Sequence, residues 1–283
     1  RNMKVAIVGY GFVGKALADG FNDTVEVIKI DPKLGTDINE LRKFKPEIIF
    51  VCLPTPMKND SSQDIAIVKD VLKEISQIND NYLVVLKSTV LPDNIQELSA
   101  LNKDFIYNPE FLREKHAKED FINSSLIIFG GDRDKCNILG EFYANHTKCI
   151  SKEYFFTDKI TASLIKYTIN SFLSTKVSFF NELHKLFIGS ESEDSWENFI
   201  KLISVDKRIG ASHMQVPGHD GRLGFGGACL PKDSKAFLLY SKKKQANLNV
   251  LETAINTNNK IRAKYNKKTN REIEQNITFK EDN

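Results

Sequence analysis

The 283-residue chain is poor in the residues that staple or metallate small proteins. Its four cysteines (Cys52, Cys136, Cys149, Cys229) include no CxxC pair, and its five histidines form no HExxH. This excludes a disulfide framework and the common zinc motifs, and points to a reduced, cytoplasmic setting with no metal. No apolar run approaches the ~20 residues of a membrane span, and no signal-peptide pattern precedes the first apolar segment. One charge sign does not dominate either: 40 Lys and Arg face 37 Asp and Glu, a net +3 without the footprint of a nucleic-acid binder. The basic cluster from Lys260 to Arg271, which includes Arg262, reads as a solvated helix face because acidic residues resume at once.

What is present is ordinary globular material, 41% hydrophobic and 27% charged, enough for about two domains. Up to about residue 150, short continuous apolar runs alternate with amphipathic stretches. The runs are Met3 to Gly9, with Val5 to Val8 at its centre, Val25 to Ile30, Ile48 to Leu53, Tyr82 to Leu86, Phe105 to Tyr107 and Leu126 to Phe129. Helical patterns fall at Phe12 to Phe21 and Ile65 to Ile78. Buried strands alternating with helices imply a mostly parallel sheet covered on both faces. The texture then changes. Ile160 to Ile188 has no Pro or Gly and a helical apolar spacing, Trp196 to Val205 reads as helix, and a loop rich in Gly and Pro runs from Gly210 to Pro231. One last helix is expected from about Ser234 into the 260s, then a polar tail.

Gly9-Tyr10-Gly11-Phe12-Val13-Gly14 fits GxGxxG between a strand and a helix. The first glycine permits the turn, the second lets backbone approach a pyrophosphate, and the third allows close helix packing. Asp31 ends the second strand 22 residues after Gly9, where an acid would hold a ribose diol and repel a 2′-phosphate. NAD is therefore favoured over NADP, although Lys29 and Lys33 flank the acid.

The segment Gly224-Phe225-Gly226-Gly227-Ala228-Cys229-Leu230-Pro231-Lys232-Asp233 sets one cysteine apart. Its glycines let backbone wrap closely around a ligand, and the polar, cationic surroundings of Cys229 suit a reactive thiolate. Cys52, Cys136 and Cys149 read as small core residues. Lys166 and Asn170 are four apart on a helix, so a cation and an amide donor share one face and could stabilise an oxyanion; beside Tyr167 and Phe172 the helix is expected to be buried. Glu110 follows Asn108-Pro109 after a strand, at the sheet edge where ligands bind. Glu114, four residues on, is expected to push one carboxyl pKa upward.

These stretches, with Asn108 to Glu114 and Lys166 to Asn170, resemble the UDP-glucose/GDP-mannose dehydrogenase family of four-electron, NAD-dependent nucleotide-sugar dehydrogenases; the similarity runs from Met3 to about Asn259. Val51 to Pro56, with Thr55, and Lys87 to Val90, with Thr89, resemble its cofactor-side loops. The resemblance implies an α/β fold: a Rossmann-like, doubly wound, mostly parallel sheet over residues 3–155, then an all-helical central dimerisation domain over 156–268. It implies oxidation of a sugar C6 alcohol to the acid, with UDP-glucose favoured, through a thiohemiacetal and thioester on Cys229. Lys166 and Asn170 would stabilise the oxyanion, Glu110 would be the base, and Thr89 and Asp233 would position water. Glu114 and Lys232 would lie near the nicotinamide. Phe111, Leu112, Phe225 and Gly226 would line the sugar site with Arg208, supplied across a homodimer interface. The family's third, nucleotide-gripping domain is not expected in the polar stretch 269–283, so a separate partner supplying it is a further expectation. Two alternatives stay open: a two-electron β-hydroxyacid dehydrogenase, and a silent NAD-binding or assembly protein.

Overall fold

The computed structural model describes residues 2–280, which form two compact units. The first comprises residues up to 55 and 64–166, and the second residues 56–63 and 167 onward.

The first unit alternates β1 (Met3–Val8), α1 (Phe12–Gly20), β2 (Val25–Ile30), α2 (Leu41–Phe44), β3 (Ile48–Val51), α3 (Ala66–Ser76) and β4 (Leu83–Leu86). It continues with α4 (Pro92–Ser99), β5 (Phe105–Tyr107), α5 (Ala117–Asn123), β6 (Ile128–Gly130), α6 (Arg133–His146) and β7 (Phe155–Thr157). The seven strands lie in the order β2-β1-β3-β4-β5-β6-β7, parallel except for the antiparallel β5–β6 pair. The strands read as continuous apolar runs because both faces are buried. Ala6, Val8, Ile49, Val51, Val84 and Leu86 pack with Val68, Leu72 and Ile75 of α3 and Ile95 and Leu98 of α4. Their neighbours Val5, Ile7, Ile48, Phe50 and Val85 pack on the other face, with Leu17 of α1, Phe121 of α5, and Leu139 and Phe142 of α6. The order reverses at β1, so chains leaving β1 and β3 diverge at the carboxyl edge, where open α/β sheets bind their ligands.

α7 (Lys159–Gly189) carries the chain from the first unit into the second, the division between the two units falling inside this helix. The second unit adds α8 (Trp196–Ile203), α9 (Leu230–Lys243), α10 (Asn249–Arg262) and α11 (Asn270–Glu274). The single last helix expected from Ser234 is thus two, parted at residues 244–248, where Gln245 takes a positive φ of 58°. Residues 269–280 are no bare polar tail. Thr269 caps α11 in a capping box with Glu272, and both Glu272 and Ile277 are fully buried. Residues 281–283 of that stretch lie outside the described residues. Among the described residues no helix is long and apolar enough to cross a membrane.

Candidate active site

Five sequence-predicted segments leave the carboxyl ends of neighbouring parallel strands: Gly9 to Gly14 after β1, Asp31 after β2, Thr55 beyond β3, Thr89 beyond β4, and Asn108 to Leu112 after β5. The three fingerprint glycines have three different physical reasons. Gly9 has φ +92°, and a Cβ there would fall 2.4 Å from the carbonyl oxygen of Cys52. A Cβ on Gly14 would fall 2.3 Å from the carbonyl oxygen of Gly9, so the third glycine lets α1 pack against the turn. A Cβ on Gly11 would meet nothing within 4 Å. That open space adjoins the N-terminus of α1, whose N-cap, Gly11, has no side chain to satisfy the helix's first N–H groups. Asp31 accepts the Tyr10 N–H at 2.8 Å and the Lys33 N–H at 2.9 Å. Each carboxylate oxygen keeps a lone pair for a ribose hydroxyl. The residues present therefore fit a dinucleotide. Phe12 and Val13 begin α1, and Thr55 is buried, its hydroxyl donating to the Thr89 carbonyl at 2.8 Å.

Beyond β5 the chain is irregular, so Glu110 and Glu114 do not share a helical face: Glu110 is buried and Glu114, opening a short 3-10 turn, is exposed. The charge beside Glu110 is the Lys166 ammonium, 3.5 Å from Oε1 and also donating to the Glu110 carbonyl. The same ammonium lies 5.2 Å from the ring centroid of Phe111. The Leu112 N–H donates to Glu110 Oε2, and Phe111 and Leu112 are half-buried. Lys87, which opens the loop after β4, belongs to a buried polar group of its own. Lys87, 4% exposed, donates to Asn108 Oδ1 at 2.9 Å, and the Tyr143 hydroxyl donates to the same oxygen. Burial pushes the Lys87 ammonium down to about 8. A lysine directly after four buried strand residues was the available signal of that burial.

In the second unit Cys229 is half-buried and occupies the N-cap of α9, where its carbonyl accepts the Asp233 N–H at 2.9 Å. Asp233 is 1% exposed and both its oxygens accept: Lys232 donates to Oδ1 at 2.7 Å and Asn170 donates to Oδ2 at 2.9 Å. The helical neighbours Lys166 and Asn170 thus make different contacts, one with Glu110 and the other with Asp233. Phe172 is 67% exposed, contrary to the expectation for its stretch, because two residues beyond Asn170 is about 200° around the helix. Phe225 is buried, and Asn258 bridges its backbone, accepting its N–H at 2.7 Å and donating to its carbonyl at 2.8 Å. The face of Gly226 is filled from within, since a Cβ there would fall 1.9 Å from Arg262 Nη2. Arg262 is 2% exposed, so the basic cluster is not wholly a solvated face. It falls in helical register with the buried Leu251, Ile255 and Asn258, a spacing legible in the sequence. Arg208 is exposed and holds Asp206 in a two-pronged ion pair.

Burial keeps the other three thiols protonated. Burial pushes Cys52 up to about 12 and Cys136 up to about 11, and raises Cys149. Among the described residues no group of His, Cys, Asp and Glu could hold a metal ion.

Residues 33–147 match the model of the UDP-glucose/GDP-mannose dehydrogenase family's NAD-binding domain, and residues 160–260 match its central domain. The UDP-glucose 6-dehydrogenase of Rickettsia felis is 36% identical over 78% of this chain and 49% of its own length. That of Rickettsia prowazekii is 33% identical over 90% of this chain and 67% of its own length. The chain therefore spans about half the length of the first relative and two thirds of the second. A UDP-glucose dehydrogenase structure from Pyrobaculum islandicum superposes with a TM-score of 0.74 at 25% identity, covering 91% of this chain and 68% of that one. The chain belongs to the UDP-glucose/GDP-mannose dehydrogenase family, with an NAD-binding domain of Rossmann type followed by a helical domain.

Proposed function

We propose that the protein takes part in the NAD-dependent, four-electron oxidation of a nucleotide sugar, converting the C6 alcohol of UDP-glucose to the carboxylate. The observation that carries this reading is the placement of Cys229 at the N-terminus of α9, half-buried and followed by Lys232 and Asp233. A dehydrogenase that stops at two electrons needs no nucleophile. One that reaches an acid needs a covalent adduct to carry the aldehyde into the second oxidation.

Bound NAD supplies the hydride acceptor for each oxidation. Gly9, Gly11 and Gly14 shape its pyrophosphate cradle, with Asp31 on the ribose and Thr55, Thr89, Glu114 and Lys232 lining the remainder. The Cys229 thiolate adds to the aldehyde carbon, giving a thiohemiacetal. Loss of hydride from that carbon leaves a thioester, and attack by water releases the acid and restores the thiol. Lys166 and Asn170 stabilise the successive oxyanions. Glu110, held beside the Lys166 ammonium, takes the proton of the attacking water. Asp233 fixes Asn170 and Lys232 through its two oxygens, so its part is orientation of donors as well as of water. Phe111, Leu112, Phe225 and Arg208 contribute to sugar and nucleotide contacts.

A second copy of the chain fits the exposed apolar stripe of Phe172, Phe179 and Leu186, spaced by seven residues along α7. The deciding assay follows NADH absorbance with UDP-glucose, GDP-mannose and UDP-N-acetylmannosamine. Two NADH per sugar support the reading, and one NADH assigns a two-electron dehydrogenase. NAD binding without NADH formation marks a binding protein. In an active preparation, Cys229→Ser should stop the reaction short of the acid.

A further inference from the structure

The loop from Gly218 into Cys229 has no regular secondary structure, so its shape depends on what its backbone bonds to. Its middle is held by amide side chains: Asn181 accepts the Gly224 N–H at 2.9 Å, and Asn258 bridges Phe225. Its two ends converge on one buried ion pair. Arg262 Nη2 lies 2.8 Å from Glu272 Oε2 and 2.8 Å from Asp220 Oδ2, while Nη1 donates to the Leu223 carbonyl at 3.2 Å. Glu272 Oε2 also accepts the Gly227 N–H at 3.0 Å, two residues before Cys229. The missing side chain of Gly226 makes room for the pair, since a Cβ there would fall 2.4 Å from Glu272 Oε2 as well as against Arg262.

Glu272 is set by its own segment. The Thr269 N–H donates to Glu272 Oε1 at 3.2 Å, and the Ile277 N–H donates to the Glu272 carbonyl at 2.9 Å. This segment lies beyond residues 160–260, which match the family's central domain.

We propose that Arg262 and Glu272 are positioning residues for the cysteine loop, and that residues 269–280 form a brace fixing the backbone ahead of Cys229. The proposal rests on the reading of Cys229 as the nucleophile. Glu272 acts twice, as the acceptor for Gly227 and as the counter-charge of a guanidinium that would otherwise face Asp220 alone. Removing the carboxylate releases the loop backbone and leaves the neighbourhood of Cys229 more positive, which favours the thiolate.

The test uses the full chain and two variants, Glu272→Ala and Glu272→Gln, with Trp196 fluorescence as the check on the second unit's fold. Hydrogen exchange of residues 224–229 and the pH profile of Cys229 alkylation are read by mass spectrometry. In Glu272→Ala, exchange is expected to quicken about tenfold and the alkylation midpoint to fall by about half a pH unit. Glu272→Gln keeps an acceptor but no charge, so exchange should return to within about threefold of the parent while the midpoint stays lowered. A part limited to packing would leave the midpoint where it was. Unchanged exchange and midpoint in natively fluorescent Glu272→Ala overturn the proposal. Should that variant lose native fluorescence, an unmoved midpoint in Glu272→Gln overturns it. NADH formation by the parent chain is measured alongside: its absence defeats the four-electron reading, and exchange and alkylation still decide the brace.

Discussion

Lys166 Nζ lies 3.5 Å from Glu110 Oε1, with both side chains at least nine-tenths buried. Removing one member of such a pair leaves the other charged, desolvated and unpaired. Lys166→Met is therefore expected to cost about 3–5 kcal/mol in urea unfolding at pH 7. Adding Glu110→Gln should restore part of that loss, because the stranded charge is gone. A double variant no more stable than Lys166→Met would show that the carboxylate does not depend on the ammonium.

The glycine fingerprint separates binding from folding. Gly11→Ala meets no neighbour and has φ −84°, so unfolding should stay within about 1 kcal/mol of the parent. The added methyl occupies the approach to the α1 N-terminus, and NAD affinity by calorimetry should fall about tenfold or more. Gly14→Ala forces a Cβ against the Gly9 carbonyl and should lower stability by about 1–3 kcal/mol. Equal stability losses in both variants would contradict this assignment.

Thiol chemistry should be site-selective. At pH 8 roughly 1 in 10,000 of Cys52 and 1 in 1,000 of Cys136 would be thiolate, given values near 12 and 11. Brief iodoacetamide treatment of native protein should label Cys229 ahead of both, as read by peptide mass spectrometry. Modification of Cys52 or Cys136 at a comparable rate would reverse the reading.

Lys87 gives stability a specific dependence on pH. Its folded-state value, about 8, lies below the ordinary lysine value of 10.5, so between the two the unfolded chain binds the extra proton. Stability contributed through this group therefore rises with pH from about 8 toward 10.5 and is withheld below 8. Burial of Cys52 acts oppositely, but only above the ordinary thiol value of 9.0. From pH 8 to 9 the parent should gain on the order of 1 kcal/mol relative to Lys87→Met in urea unfolding. Parallel profiles for the two proteins would refute it.

Much of this was readable in the residues. Val5 to Val8, Ile48 to Val51 and Leu83 to Leu86 announce doubly buried parallel strands because nothing polar interrupts them. GxGxxG and Asp31 take their meaning from that sheet. What escaped reading depends on partners distant in the chain. Arg262 looks like one more cation in a basic stretch until its carboxylates, 10 and 42 residues away, are placed beside it. Gly226 looks like a ligand-facing glycine until that guanidinium fills the space. The three-residue strand Phe155–Thr157 escaped because it is short and lies at the sheet edge with two exposed phenylalanines.

The excursion of residues 56–63 orders events during synthesis. Met57 donates its N–H to the Gln275 carbonyl at 2.9 Å, and its own carbonyl accepts from Asn276 Nδ2 at 2.8 Å. These partners are more than 200 residues apart, although Met57 emerges from the ribosome just after β3. The first unit can thus assemble around a short looped-out hairpin, whereas the second waits until almost the whole described chain has been made. A gene fragment beginning at residue 167 would omit part of the second unit.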